Sequence, residues 1–349
     1  MVDDRVPRFG VIVPCRNEAA VVGRRIRNLA RLDWPATERP HRILVVDDGS
    51  SDGTLEAAHQ AIGELGPCAG LEFAATRNDG PHGKTEAMSL AIDALDDVDL
   101  LLLTDADVVF RDPVPSELAA SFESDAKLGM ACGAQEFVDR LPSDGSCGEP
   151  TPAGEGYDRF TAVVRRIESR FGRLFSVHGQ CLAWRRELGI RPDRGFAADD
   201  LDLRQQVRAL GRGVRLVPTA RFLEEKISES SERERQAVRR AEAYFQFVRH
   251  TPHGSGSGAL DALHWLAYRW LPQTFPVGLG LAVVALLALL LIPGARAAVG
   301  PVGVGAAIVV LVAIAPFGAR TWRLSRWIER ASSNERRHGR SSSWETRRT

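Results

Sequence analysis

Residues 101–110 read LLLTDADVVF. With Leu100 before them, four leucines run into Asp105 and Asp107, and the chain turns apolar again at Val108. A short apolar run bounded by polar residues fits a strand buried on both faces, the kind found in parallel sheets covered by helices. Two carboxylates at its end admit two readings. One is an ordinary acidic turn. The other is a ligand site at the carboxyl edge of a sheet, where open α/β folds bind. Asp-any-Asp on extended chain lets both carboxylates converge on one hard divalent cation, with diphosphate oxygens and water completing an octahedron.

The preceding hundred residues supply the rest of such a sheet. FGVIVP (9–14), RILVVDD (42–48), LEFAAT (71–76) and DLLLLTD (99–105) are short apolar runs ending in polar residues. Helical patterns at 19–32, 54–65 and 84–95 lie between them, and this alternation predicts a mainly parallel, right-handed α/β sheet. Asp47, Asp48, Arg77, Asp105 and Asp107 then fall together on the ligand edge.

Formal net charge is zero over 349 residues, so nothing electrostatic favours nucleic acid as a partner. The five cysteines are scattered without CxxC spacing, which speaks against a zinc site or a disulfide framework. The N-terminal MVDDRVPRFG has no apolar core, so no signal peptide is expected. Near the C-terminus, Trp270–Ala295 and Ala297–Ala319 are uncharged, and each exceeds the roughly 20 residues that span a bilayer. They predict a transmembrane helical hairpin joined by PGAR (293–296). The tail from Arg320 carries nine Arg against three Glu, placing both termini and the N-terminal domain on the cytoplasmic side of an inner or plasma membrane. ALDALHWLAYRWL (259–271) spaces Leu260, Leu263, Ala267 and Trp270 as an interfacial amphipathic helix. The expected organisation is a catalytic domain over 1–230, interfacial helices over 231–271, two spans over 272–319 and a basic tail over 320–349.

Four stretches carry candidate chemistry. VVDDGSSDGT (45–54) is either a capped turn or a pair of carboxylates accepting from a base N–H or ribose hydroxyl. TRNDGPHGKTEAM (76–88) places Gly-Lys-Thr before a helix, but a P-loop needs glycine where Asn78 stands, so an NTPase is excluded. Lys84 at the helix start can still favour a diphosphate. TDADVVF supplies the carboxylate pair described above. GFAADDLDLRQQVRALG (195–211) brings Asp199, Asp200 and Asp202 to a helix start, as caps or as a general base.

In this order, with VIVPCRNE (11–18), VHGQCLAWRRE (177–187) and ADDLDL (198–203), the motifs over about residues 8 to 250 resemble the family 2 glycosyltransferases, inverting enzymes with a GT-A fold. The resemblance implies a metal-assisted transfer of a sugar from a nucleoside-diphosphate sugar, UDP being the commonest carrier, to a hydroxyl of a lipid-linked or glycan acceptor. Pro14, Arg16, Glu18, Asp47, Asp48, Arg77, Lys84 and Asp105 would line the nucleotide-sugar pocket. Asp107, with Asp105, would hold Mg2+ or Mn2+, and Asp200 would be the base. His178, Gly179, Gln180 and Asp199 would lie where donor sugar and acceptor meet.

Processive members of the family carry Gln-x-x-Arg-Trp after the base. Here Gln236 and Arg239 are present in QAVRR, but Arg240 stands in place of Trp, and two spans are few for a polymer channel. Addition of one or few sugars is therefore the primary reading. A processive polysaccharide synthase and a polyprenyl-phosphate glycosyltransferase are the alternatives, with a silent membrane scaffold as the non-enzymatic one. The Gly/Pro/Ser-rich stretch 138–160 is expected to overhang the acceptor side.

Overall fold

Strand β1 (Phe9–Cys15) is buried at every residue, and it is the strand around which the sheet is laid. Side chains alternate across it. Val11, Val13 and Cys15 join one core with α1 (Ala19–Arg31) and α2 (Thr54–Leu65), while Ile12 joins the other with α3 (Lys84–Ala94). β2 (His41–Asp47), β3 (Leu71–Arg77) and β4 (Leu100–Leu103) complete the parallel half, β2 and β4 flanking β1 and β3 pairing with β2. These elements match the expected runs to within a residue or two because short apolar runs ending in polar residues alternate there with longer 3.6-period patterns. The structure, a computed structural model, describes residues 6–146, 156–194, 196–226, 230–251 and 258–291, with Gly294, Gly300 and Gly305.

Beyond β4 come β5 (Val109–Phe110), α4 (Val114–Ser124), β6 (Leu128–Val138), α5 (Gly156–Arg170), β7 (Leu182–Arg185), α6 (Asp199–Ala209) and β8 (Gly213–Glu225). The sheet order is β3-β2-β1-β4-β7-β6-β8-β5. β7 is antiparallel to both β4 and β6, β6 runs parallel to β8, and β5 is antiparallel to β8, so the sheet is mixed and mostly parallel. The apolar interior is continuous: Trp184 on β7, Met88 on α3 and Val207 on α6 lie in one buried cluster. A fully buried large side chain of this kind contributes about 1.5–3 kcal/mol.

The described chain divides into two compact units at Ser230/Ser231. The second holds α7 (Ser230–His250) and α8 (Ala259–Leu291). α8 is one helix where the sequence predicts an interfacial helix followed by a separate span. The helix runs on through Pro272 and Pro276, the residues at which the sequence would bend or end it. Among the described residues no helix is long and apolar enough to cross a membrane. Apart from Gly300 and Gly305, the second expected span and the whole basic tail lie outside the described residues, as do 253–257 of the expected joint and 147–155 of the acceptor-side loop.

The β6–β8 pairing shifts register between Gly133 and Ala134. A Cβ on Gly133 would lie 2.5 Å from Cys181 Sγ and 2.8 Å from the Ala220 carbonyl oxygen. The carbonyl belongs to backbone in the neighbouring strand and cannot swing aside. Gly133→Ala is therefore expected to destabilise the domain by about 1–3 kcal/mol, as overpacking does. Urea unfolding followed by circular dichroism checks this, and an unchanged midpoint would show that β6 and β8 separate freely at the bulge.

Candidate active site

The carboxyl ends of β1, β2 and β4, together with the start of α6, place the expected acids on one edge of the sheet. Two of them are turned inward. Asp47 has no exposed surface; it accepts from the Ser50 N–H at 3.2 Å and from Arg77 Nε at 3.2 Å. Asp48, equally buried, accepts from Asn78 Nδ2 at 2.7 Å and from the Gly83 N–H at 2.7 Å, with Arg16 Nη1 at 3.8 Å. Asn78 also donates to the Pro81 carbonyl at 2.8 Å, so the residue that rules out a P-loop is the one that shapes residues 78–83.

The strand-end loops are tied to each other in the same manner. Asn17, in the left-handed region at φ 54°, donates its N–H to Ser50 Oγ at 2.8 Å and accepts from the Ser51 N–H at 3.0 Å. The Glu18 N–H donates to Thr54 Oγ1 at 2.8 Å, and the Ala19 N–H to Asp52 Oδ2 at 3.1 Å. Pro14 and Glu18 are buried and Arg16 is half-buried. The RNE and SSDGT segments thus form one rigid rim.

Lys84 is the first residue of α3, and its ammonium lies 3.0 Å from Asp105 Oδ1 and 3.2 Å from Asp199 Oδ2. All three side chains are about nine-tenths buried. The sequence puts Lys84 on the donor diphosphate and Asp199 near the sugar; the structure joins both to Asp105. A Cβ on Gly179 would stand 3.7 Å from Lys84 Nζ and 3.7 Å from Asp200 Cβ, so the GQ segment does meet the acid pair.

Asp200 is partly exposed as a residue, and its Oδ1 accepts from the Leu201 N–H at 2.8 Å. Surrounding protein excludes most water from its carboxyl and pushes its pKa up to about 7; the negative charge of Asp199 adds to the rise, and Lys84 opposes it. Asp202, the third acid of the segment, is taken up elsewhere. It accepts from the Asp193 N–H at 2.7 Å and from Gln206 Nε2 at 3.0 Å, and fixes the approach to α6. Burial raises the thiols of Cys15, Cys132 and Cys181, so none of these three is a ready nucleophile.

Two residues absent from the sequence prediction enter here. Arg165 of α5 lies 2.6 Å from His178 Nε2 and reaches Cys132 Sγ at 3.6 Å, and the His178 N–H donates to the same sulfur at 3.2 Å. Only tertiary pairing of α5 with the 177–181 segment reveals them. Gln180 is half-buried beside this group. Gln236 and Arg239 lie on α7, in the second unit.

Asp107 is exposed, one residue past the buried Ala106. Among the described residues no three His, Cys, Asp or Glu side chains converge on a metal position. Asp107 offers a hard oxygen at the sheet edge while Asp105 is paired with Lys84. That suits an ion of the Mg2+ or Mn2+ type, which takes one or two protein carboxylates and completes its shell with substrate phosphate and water.

Known structures share this architecture. A mannosyltransferase from Pyrobaculum calidifontis, in complex with GDP-Man and Mn2+, superposes with a TM-score of 0.66 at 22% identity, covering 95% of this chain and 88% of its own. Residues 1–349 of S. aureus TarS in complex with UDP-GlcNAc give 0.50 at 16% identity, covering 77% of this chain and 75% of that one. The same TarS fragment on its own gives 0.51 at 15%, covering 95% and 91%. No curated protein matches the chain. The family described as "Glycosyltransferase like family 2" matches residues 7–243. With that match over most of its length, the chain belongs to the family 2-like glycosyltransferases, built on a GT-A-like α/β fold.

Proposed function

We propose that the protein transfers a sugar, with inversion, from a nucleoside-diphosphate sugar to a hydroxyl of a membrane-associated lipid or glycan acceptor. The observation that carries this reading is Asp200, placed beside the Asp199–Lys84–Asp105 chain with burial of its carboxyl raising its pKa to about 7. A carboxylate of that pKa is strong enough to take a hydroxyl proton and is about half ionised at neutral pH. The acceptor oxygen, freed of its proton, attacks the anomeric carbon from the face opposite the nucleotide and inverts that centre without a covalent intermediate.

Lys84 holds Asp199 and Asp105 aligned beneath the donor sugar, and the rim built on Asp47 and Asp48 receives the base and ribose. Asp107 would hold Mg2+ or Mn2+, which when bound would supply charge neutralisation for the departing nucleoside diphosphate. The donors named in similar structures, GDP-Man and UDP-GlcNAc, make UDP- and GDP-sugars the first to test. Arg240 in place of a tryptophan supports addition of one or few sugars over processive synthesis. The uncharged stretches 270–295 and 297–319 and the Arg-rich tail support anchoring in an inner or plasma membrane with the catalytic unit in the cytoplasm.

Asp200→Asn is expected to lower kcat for donor turnover by about 10²- to 10⁴-fold while leaving donor affinity within a few-fold. In the wild type, log kcat rises with unit slope below about pH 7 and levels above it, because the base works only after losing its proton. Full activity in the Asn variant, or a flat profile across that pH, would remove Asp200 from the role. Anchoring has its own test: the full-length chain expressed in bacteria is expected to stay in the membrane pellet after alkaline carbonate extraction. Release into the supernatant would contradict it.

A further inference from the structure

Arg25 and Asn28, one turn apart on α1, lie beneath the turn that carries Asp105 and Asp107. Arg25 has no exposed surface and Asn28 has 2%. Arg25 Nη2 donates to Thr104 Oγ1 at 2.7 Å, and Nη1 donates to Asn28 Oδ1 at 2.6 Å and to the Val108 carbonyl at 3.4 Å. The guanidinium carbon sits 3.9 Å from the centre of the Phe110 ring. Asn28 Oδ1 accepts from the Phe110 N–H at 2.8 Å, and its Nδ2 donates to the Phe110 carbonyl at 3.0 Å and the Gly145 carbonyl at 3.2 Å. Both ends of the 104–110 segment are therefore pinned to a single helix.

A guanidinium at zero exposure is costly to bury, the more so as Arg25 Nε makes no hydrogen bond within the protein, and an aliphatic side chain would pack α1 on β4 without that cost. What the aliphatic side chain cannot do is hold a turn by its hydroxyl, its carbonyl and its aromatic ring at once.

We propose that Arg25 and Asn28 are positioning residues that hold the 104–110 turn in the one conformation that presents the Asp107 carboxylate to a divalent cation and the donor diphosphate. The part concerning the cation rests on the reading of Asp107 given above; the part concerning the turn does not. Loss of the latch weakens cation and donor binding and leaves proton transfer at Asp200 intact, so it raises KM more than it lowers kcat.

The test uses the purified full-length chain and the variants Arg25→Lys, which keeps charge and loses the fork, and Asn28→Ala, which keeps Arg25 and loses the Phe110 bonds. Amide hydrogen exchange over residues 104–110 is expected to accelerate by about tenfold or more in both variants, with β1 unchanged. Mn2+ binding, followed by electron paramagnetic resonance with and without UDP or GDP, is expected to weaken by about tenfold, a loss of about 1.4 kcal/mol. The donor KM rises by a similar factor, with kcat at saturating donor and Mn2+ within about threefold. Should Arg25→Lys fail to fold, Asn28→Ala alone decides the matter. Unchanged exchange at 104–110, or unchanged Mn2+ affinity in a folded variant whose turn has loosened, would overturn the proposal. Absence of Mn2+ binding in the wild type would overturn the reading of Asp107, and exchange would still decide whether the latch orders the turn.

Discussion

Lys84 lies between Asp105 at the end of β4 and Asp199 at the start of α6, with all three side chains withdrawn from water. These carboxylates come from segments almost a hundred residues apart, and one ammonium holds both. Removing one partner from a buried ionic set of this kind leaves an uncompensated charge and costs about 3–5 kcal/mol. Asp200 depends on the same contact. Its pKa is high because it is buried and adjacent to Asp199, and it stays near neutrality because Lys84 offsets part of that rise. Burial and Asp199 thus raise the pKa of the base, and one cation moderates it.

The acids of this edge divide their labour by direction. Asp47, Asp48, Asp52 and Asp202 accept from backbone N–H groups or neighbouring side chains and freeze the loops around them. Asp107 is exposed and Asp200 partly so, on the side where a ligand arrives. A site built on such loops needs the inward set as much as the outward one, because loops carry no ladder of their own to fix a side chain. Charged groups held beforehand in place lose little free energy to reorganisation when charge shifts in a reaction.

The parallel half of the sheet was legible to within a residue or two, since short continuous apolar runs alternate with longer amphipathic patterns. The co-location of Asp47, Asp105 and Asp107 followed from strand polarity alone. The pairing of Lys84 with Asp199 did not, because it joins an antiparallel extension of the sheet whose strand order no local pattern encodes. Asp47 and Asp48 show the same limit: a pair of acids at a strand end looks identical in sequence whether it faces a ligand or its own loop. Arg25 and Asn28 read as polar positions of an amphipathic helix, yet both lie on its buried side. Arg165 follows a stretch rich in Gly, Pro and Ser, and nothing in its spacing points to His178.

The most direct measurement is calorimetry of the detergent-purified chain against UDP- and GDP-sugars, with Mn2+ or Mg2+ and with chelator, alongside Asp107→Ala. The account predicts that one donor binds in the presence of metal, that chelation weakens binding by at least about tenfold, and that the alanine variant behaves like the chelated protein. Binding unaffected by both chelator and Asp107→Ala, or no binding of any nucleotide sugar by folded protein, would contradict it.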